Sequence, residues 1–271
     1  MQFEPPQRQL LVSVAHALAD AARVETLKYF RAGGVAAENK AGGGGFDPVT
    51  EADRAAEAAM REILEQDRPH DGIHGEEYGH KAGTSGLTWV LDPIDGTRSF
   101  ISGTPVWGVL IGLDAGKGPV LGLVDQPFIG ERFLGAFGEA TYLRGDIPVR
   151  ISTRPCKSLS EAVLFTTFPE LNSAEERAGF SEVSGRVRLT RYGMDCYAYA
   201  MLAMGQIDLV IETGLFPYDI QGPQGLIESA GGVVTDWRGG PAHRGGRIIA
   251  AGDPGLHAQA LEILSAVPPS A

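Results

Sequence analysis

The sequence predicts an α+β protein, because amphipathic helices precede a run of strands that are joined by short turns. Apolar residues recur at helical spacing from about Gln7 to Arg31, which is the pattern of a helix with one buried face. Short apolar segments between residues 106 and 143 are separated by glycine-containing turns, and these predict an antiparallel sheet. Helices and strands alternate after about residue 149. We therefore expect two lobes, an N-terminal one over residues 1–150 and a C-terminal one over residues 151–271.

Composition excludes several classes of protein. The 271 residues are 43% hydrophobic, enough for a sizeable core, and no apolar run is long enough to cross a membrane. A formal net charge of −11 argues against binding nucleic acid, which requires a basic face. The N-terminus lacks the pattern of a signal peptide, and the two cysteines, Cys156 and Cys196, suit a reducing compartment. We expect a cytoplasmic protein that binds neither nucleic acid nor membrane.

The most informative stretch is an apolar strand that ends abruptly in acidic residues. The segment Leu87–Leu91 predicts a buried strand, and Asp92-Pro93-Ile94-Asp95-Gly96-Thr97 follows it. Pro93 restricts the backbone and Gly96 permits a sharp turn. Carboxylate and hydroxyl oxygens suit a hard cation such as Mg²⁺, while backbone amides at this turn suit an anion. An Asp-Pro turn followed by an Asx turn would explain the same residues without any ligand.

Three other acidic residues have a structural explanation as well as a functional one. Asp53 follows Thr50 by three residues at the start of a predicted helix, which is the spacing of a capping box. Glu76 ends a short predicted strand, where a solvated turn would explain it equally well. Asp219 opens another predicted helix, where it would serve as an N-cap. The segment Gly222-Pro223-Gln224 predicts an interruption of that helix.

A glycine-rich segment, Gly42–Gly45, lies between the first two predicted helices. Its composition is typical of a flexible connection. The alternative is a lid over an active site, which would bring Lys40 or Asp47 near a bound phosphate or metal ion.

Four segments in this order resemble the inositol monophosphatase family of Mg²⁺-dependent, lithium-sensitive phosphatases, and the resemblance covers nearly the whole chain. The segments are residues 47–53 (DPVTEAD), Gly75-Glu76-Glu77, residues 92–97 (DPIDGT), and Tyr218-Asp219 ahead of residues 228–232 (ESAGG). The resemblance implies a layered α-β-α-β-α sandwich and a homodimer. It also implies a phosphatase that acts on a small phosphate ester.

The same resemblance implies roles for individual residues. It makes metal ligands of Glu76, Asp92, the Ile94 carbonyl, Asp95 and Asp219, which would hold two or three Mg²⁺ ions. Asp53 would act through a water or a third metal, and Thr97 and Glu76 would orient the attacking water. The amides of Gly96 and Thr97 would hold the phosphate. Such chemistry is coherent, because clustered carboxylates need cations to remain ionised, and metal ions activate water and stabilise a leaving alkoxide.

Residues 191–200 (RYGMDCYAYA), together with Arg98-Ser99-Phe100-Ile101 and Tyr218, resemble the branch of this family that hydrolyses histidinol phosphate. Two acids, Asp195 and Glu212, suit a leaving group that carries an amine and an imidazole. The implied substrate-binding residues are Asp95, Gly96, Thr97, Arg191, Gly193, Asp195, Glu212 and Asp219.

Three alternatives remain open at this point. Asp195 would instead serve as an N-cap for the helix predicted to begin at Tyr197. The substrate would then be inositol 1-phosphate or a range of sugar phosphates. A regulatory relative that keeps the fold without the activity is the alternative from another class.

Overall fold

The computed structural model describes residues 2–32, 38–39, 48–168, 170 and 173–268. The segment Gly42–Gly45, with Lys40 and Asp47, lies outside the described residues, so the proposed lid stays a prediction. The described residues on either side form a two-stranded antiparallel pair, β1 (Glu38–Asn39) and β2 (Pro48–Val49).

The described residues contain seven α-helices, of which all but α3 lie in segments that were predicted to be helical. They are α1 (Pro5–Tyr29), α2 (Glu51–Asp67), α3 (Thr97–Ile101), α4 (Ala174–Ser184), α5 (Tyr197–Ala203), α6 (Pro217–Ser229) and α7 (Pro254–Leu264). The predicted capping box of α2 is confirmed, because the Thr50 hydroxyl accepts from the Ala52 N–H and the Asp53 carboxylate accepts from the Thr50 N–H. No described helix has the length and apolar character needed to cross a membrane.

A large sheet of eight strands occupies the N-terminal half. Its spatial order is β10-β9-β8-β7-β6-β5-β3-β4, and all neighbours are antiparallel except β3 and β5. The strands are β3 (Gly72–Gly75), β4 (Gly79–Lys81), β5 (Thr88–Asp95), β6 (Gly108–Asp114), β7 (Pro119–Gln126), β8 (Glu131–Ala136), β9 (Glu139–Leu143) and β10 (Pro148–Arg150). The antiparallel meander predicted for residues 106–143 is thereby confirmed.

A second sheet of five strands follows residue 150. Its order is β12-β11-β13-β15-β14, in which β11 runs parallel to both of its neighbours and the other pairs are antiparallel. The strands are β11 (Val163–Thr166), β12 (Leu189–Tyr192), β13 (Leu209–Leu215), β14 (Val233–Asp236) and β15 (Gly246–Ala251).

The helices and sheets stack in five layers, each boundary filled by a buried apolar cluster. Helices α1 and α2 cover the outer face of the large sheet. Helices α5 and α6 lie between the two sheets, where side chains of both sheets meet them. Helices α4 and α7 cover the outer face of the small sheet. The α-β-α-β-α sandwich expected from the sequence is therefore confirmed. Its middle layer places the N-terminus of α6 next to the end of β5.

Helix α6 lies directly on the large sheet because glycines face each other across the contact. A Cβ atom on Gly122 of β7 would lie 2.0 Å from the carbonyl oxygen of Gly222, and one on Gly225 would lie 2.6 Å from the amide nitrogen of Gly122. Both positions must therefore lack a side chain. The predicted interruption at Gly222-Pro223-Gln224 is wrong, since α6 continues through Pro223 to Ser229. The glycines on either side of this proline serve close packing rather than helix termination.

We expect Gly225→Ala to lower the free energy of unfolding by about 3 kcal/mol, the upper end of the usual cost of overpacking. The reason is that the added methyl group meets backbone atoms, which have no alternative rotamer. Urea denaturation followed by circular dichroism measures the change. Ser229→Ala near the end of the same helix is the control and should change stability by less than about 0.5 kcal/mol. Equal stability of Gly225→Ala and the parent would contradict the close contact.

Candidate active site

A cavity of about 520 Å³ opens between the end of β5, the start of α6 and the end of β13. Residues from both expected lobes line it. Of the residues that the sequence singled out, those in its wall are Glu76, Asp92, Ile94, Asp95, Gly96, Thr97, Asp195, Glu212 and Asp219. The fold thus collects into one cavity residues that lie more than a hundred positions apart in the chain.

The end of β5 has the tight turn that the sequence predicted. The register with β6 shifts between Asp92 and Asp95, and Asp92 Oδ1 accepts a hydrogen bond of 3.0 Å from the Ile94 N–H. Gly96 adopts a left-handed conformation (φ 83°) and starts α3, while the Thr97 hydroxyl donates to the Ile94 carbonyl over 3.2 Å. The Asx turn is therefore present, and it also aims two carboxylates into the cavity. The structural and functional explanations of this motif hold together.

Three carboxylates converge at this point. One oxygen each from Asp92, Asp95 and Asp219 lies within 4.8 Å of the other two. Burial, followed by repulsion from Glu76, Asp95 and Asp219, raises the pKa of Asp92 well above its ordinary value. Glu76 lines the same cavity and hydrogen bonds with Asp92, although it lies outside the group of three. A set of oxygen donors that cannot all ionise unaided fits a hard divalent cation.

Asp219 occupies the third position of α6 rather than its N-cap. The N-cap residue is Phe216, and its N–H donates to Asp219 Oδ2 over 2.7 Å. The Asp219 carboxylate therefore helps to cap the N-terminus of α6, and it also belongs to the acidic group formed with Asp92 and Asp95. A helix N-terminus favours negative charge, which offsets part of the repulsion that Asp219 meets.

Asp95 connects the turn after β5 to the start of α5. Its Oδ2 atom accepts a hydrogen bond of 2.7 Å from the N–H of Cys196, the residue that precedes α5. Burial raises the pKa of Asp95, and repulsion from Asp219 and Asp195 raises it further, while the hydrogen bond from Cys196 opposes both. Because this bond joins segments 101 positions apart in the chain, Asp95 has a structural role besides any role toward a ligand.

Asp195 lies against the turn at the end of β5. Its Oδ2 atom accepts a hydrogen bond of 2.5 Å from the Ser99 hydroxyl, and a Cβ atom on Gly96 would lie 2.8 Å from its Cγ. Burial raises its pKa, whereas the Ser99 bond and the Arg98 charge lower it. The alternative that Asp195 caps α5 is wrong, since Cys196 is the N-cap residue and no side chain caps that helix.

Glu212 is a buried acid on β13 that also lines the cavity. Its Oε1 atom accepts hydrogen bonds from the N–H (3.0 Å) and the hydroxyl (2.5 Å) of Thr167, and its Oε2 atom accepts one from the Tyr199 hydroxyl (2.9 Å). Burial raises the pKa of Glu212 to about 7, although these hydrogen bonds oppose the rise. The carboxylate therefore changes charge near neutral pH, in a fixed orientation.

Three predicted site residues lie outside the cavity wall. Asp53 is buried, and its Oδ2 atom accepts from both the N–H and the hydroxyl of Thr50. Arg191 is exposed on the edge strand β12. Gly193 donates its N–H to the carbonyls of Thr166 and Thr167, so it supports the segment that binds Glu212 without lining the cavity itself.

Several lining residues had no signal in the sequence. Among the described residues, the hydroxyls of Thr166 and Thr213 are buried without a hydrogen-bond partner, and both threonines line the cavity. Phe168 and Phe216 also line it, with 45% and 58% of their surface exposed. The Arg98 guanidinium lies 5.0 Å from the centre of the Phe168 ring. Only the meeting of β11, β13 and α6 brings these residues together, which a single sequence does not reveal.

Comparison with known proteins agrees with this geometry. The model of the inositol monophosphatase family matches residues 7–268. The protein named "Bifunctional phosphatase IMPL2, chloroplastic" from Arabidopsis thaliana is 45% identical over 93% of this chain and 74% of its own length. A histidinol-phosphatase from Streptomyces coelicolor is 35% identical over 93% and 96%, respectively. The inositol-1-monophosphatase ImpA from Mycolicibacterium smegmatis is 32% identical over 97% and 95%.

Solved structures agree as well. An inositol monophosphatase from Zymomonas mobilis, 39% identical, superposes with a TM-score of 0.83 over 97% of this chain and 100% of that chain. The extragenic suppressor protein suhB from Bartonella henselae, 26% identical, superposes with a TM-score of 0.84 over 94% and 98%. With the family's match spanning nearly every residue and the same fold in its solved members, this chain belongs to the inositol monophosphatase family of phosphatases.

Proposed function

We propose that this protein is a Mg²⁺-dependent phosphomonoesterase that hydrolyses L-histidinol phosphate to L-histidinol and phosphate, in histidine biosynthesis. The observation that carries the choice of substrate is the position of Asp195, whose carboxylate lies against Gly96 beside the acidic group. An anionic side chain at that point favours a cationic leaving group over an uncharged polyol. Relatives that bear the name histidinol-phosphatase, such as the one from Streptomyces coelicolor, support the same choice.

The residues proposed to hold two or three Mg²⁺ ions are Glu76, Asp92, the Ile94 carbonyl, Asp95 and Asp219. When bound, Mg²⁺ supplies positive charge to the phosphate and lowers the pKa of a coordinated water. In this proposal Glu76 and Thr97 orient that water, and Asp53 supports the arrangement from outside the cavity wall. The amides of Gly96 and Thr97 bind the phosphate oxygens, since a left-handed glycine directs successive N–H groups to one side.

The aromatic part of the cavity wall suits an imidazole. Phe168 and Phe216 provide two aromatic faces, which bind a planar cationic ring better than a ring of hydroxyls. Glu212 and Asp195 supply negative charge near this space, and we propose that they attract the substrate's amine and imidazole. Arg191 and Gly193, which lie outside the wall, would contribute only indirectly.

A second candidate substrate is inositol 1-phosphate or another sugar phosphate. The unpartnered hydroxyls of Thr166 and Thr213 favour it, because they would hydrogen bond with a polyol as readily as with an imidazole. The Zymomonas mobilis structure, described as that of an inositol monophosphatase, points the same way. A regulatory relative without activity is the weakest alternative, because every proposed carboxylate ligand is present in the cavity wall.

The proposal extends to the assembly and surroundings of the enzyme. We propose a homodimer inhibited by lithium, as the resemblance to the family implies, and a cytoplasmic location, which the two cysteines favour. The division into lobes at residues 150 and 151 is supported by the change of sheet, since β10 ends at Arg150 and β11 begins at Val163.

We expect Asp92→Asn to reduce kcat on histidinol phosphate by about a thousandfold, roughly 4 kcal/mol at 1.36 kcal/mol per decade. The reason is that an amide cannot replace the charge that Asp92 offers to a metal ion. Steady-state phosphate release at saturating Mg²⁺ measures the effect, and removal of metal by EDTA should abolish the parent's activity reversibly. Asp146→Asn, at an exposed position, is the control and should retain full activity. Near-parental turnover by Asp92→Asn would disprove the metal assignment.

We expect kcat/KM for histidinol phosphate to exceed that for myo-inositol 1-phosphate by about a hundredfold, roughly 2.7 kcal/mol. Asp195→Asn, which keeps the acceptor for Ser99, should raise KM for histidinol phosphate by about tenfold because it removes the charge. The same change should leave the inositol phosphate kinetics within about threefold. Equal losses on both substrates would make Asp195 structural, and a preference of the parent for inositol phosphate would exclude the proposed substrate.

We expect Glu212 to make activity on histidinol phosphate depend on pH. With a pKa of about 7, Glu212 is mostly protonated at pH 6 and mostly ionised at pH 8. The ratio of kcat/KM between the parent and Glu212→Gln should therefore grow by about tenfold over this range. Taking the ratio cancels the substrate's own titration. Because the raised pKa penalises ionisation in the folded state, the parent should lose stability relative to Glu212→Gln as pH rises from about 4.5 to 7, with little further change above pH 7. A ratio that stays constant would contradict a role for this charge.

A further inference from the structure

Glu57 is a fully buried acid on α2 that the proposed chemistry does not use. Its Oε2 atom accepts a hydrogen bond of 2.7 Å from the Glu77 N–H, and its Oε1 atom accepts one of 3.1 Å from the Tyr78 N–H. The Arg61 guanidinium, one helical turn away, donates to Oε1 over 2.7 Å. Burial of a carboxylate is costly unless such partners compensate it, so this arrangement requires a reason.

The carboxylate of Glu57 holds the turn that joins β3 to β4. A Cβ atom on Gly75 would lie 2.0 Å from Glu57 Oε1, so the carboxylate fills the space beside that glycine. Immediately after Gly75, the Glu76 N–H donates to the Leu91 carbonyl over 3.1 Å. The backbone of Glu76 is thereby fixed on one side by β5 and on the other by Glu57.

Arg61 holds the far end of the same turn. Its Nη2 atom donates to the Gly79 carbonyl over 2.5 Å, and its guanidinium lies 5.8 Å from the centre of the Tyr78 ring. Glu57 and Arg61 together therefore contact the turn from Gly75 to Gly79 at both ends. Side chains on one face of α2 therefore fix the conformation of this turn.

We propose that Glu57 is a positioning residue that fixes the turn so that the Glu76 carboxylate meets Asp92, and that it thereby sets the affinity of the site for divalent cations. This inference rests on the proposed role of Glu76 as a metal ligand. Groups that orient a ligand in this way change metal affinity by about 10- to 100-fold when removed. A purely structural tie between α2 and the sheet would instead affect stability alone.

The test measures Mn²⁺ binding by calorimetry, without substrate, for the parent, Glu57→Gln and Glu62→Gln. Glu57→Gln places an amide group against backbone N–H donors, which should displace the turn. We expect it to weaken Mn²⁺ binding by about 10- to 100-fold and to raise the Mg²⁺ concentration for half-maximal activity similarly. At saturating Mg²⁺, kcat should stay within about threefold of the parent. Glu62→Gln, exposed on the same helix, should bind Mn²⁺ as the parent does.

A lower Tm for Glu57→Gln with unchanged Mn²⁺ affinity would overturn the inference. Should Glu57→Gln fail to fold, the Arg61→Lys variant tests the inference instead. This variant keeps the positive charge but loses the forked guanidinium that reaches the Gly79 carbonyl. Arg61→Lys should weaken Mn²⁺ binding by about threefold or more, and parental affinity would overturn the inference. Asp92→Asn separates the two proposals. If Asp92→Asn binds Mn²⁺ as tightly as the parent, the metal site itself is misassigned. If Asp92→Asn loses Mn²⁺ affinity but Glu57→Gln does not, only the positioning role of Glu57 is refuted.

Discussion

The repulsion among closely spaced carboxylates at the end of β5 is the constraint on which the active site depends. Asp92, Asp95 and Asp219 place oxygens within 4.8 Å of one another, and burial raises the pKa values of Asp92 and Asp95 well above their ordinary range. Such a group is stable only if rigid surroundings hold it and a cation or protons neutralise it. Each element around the cavity can be understood by how it holds one of these acids in place.

Backbone amides from different layers of the sandwich supply that support. The Cys196 N–H at the start of α5 donates to Asp95, and the Phe216 N–H at the start of α6 donates to Asp219. Helix α6 reaches this point only because Gly122 and Gly225 allow it to lie directly on the large sheet. The close contact in the middle layer and the convergence of acids therefore have one cause, and the packing of the interior determines the geometry of the site.

The local motifs were predictable from the sequence, whereas contacts between distant segments were not. The turn after β5 and the capping box at Thr50 depend on neighbouring residues, and both were predicted, whereas the short helix α3 was not. The capping of α5 by Asp195 was wrong, because a contact with Ser99, 96 positions earlier, determines that side chain's orientation. The role of Glu57 gave no signal, since its pair with Arg61 one turn away is also typical of an exposed helix face, and the backbone amides that it binds lie 20 and 21 residues away.

The arrangement also separates the chemistry common to the family from the choice of substrate. The acidic group and the turn at Gly96 come from β5 and the start of α6, whereas Phe168 and Glu212 come from the small sheet and the segment after β11. Asp195 bridges the two parts, because its carboxylate contacts Gly96 while its backbone lies between β12 and α5. Under the proposed function, substitutions on the small sheet would therefore alter the leaving-group side while the turn after β5 keeps its own backbone contacts, although a change at Glu212 would also alter the repulsion that Asp95 meets.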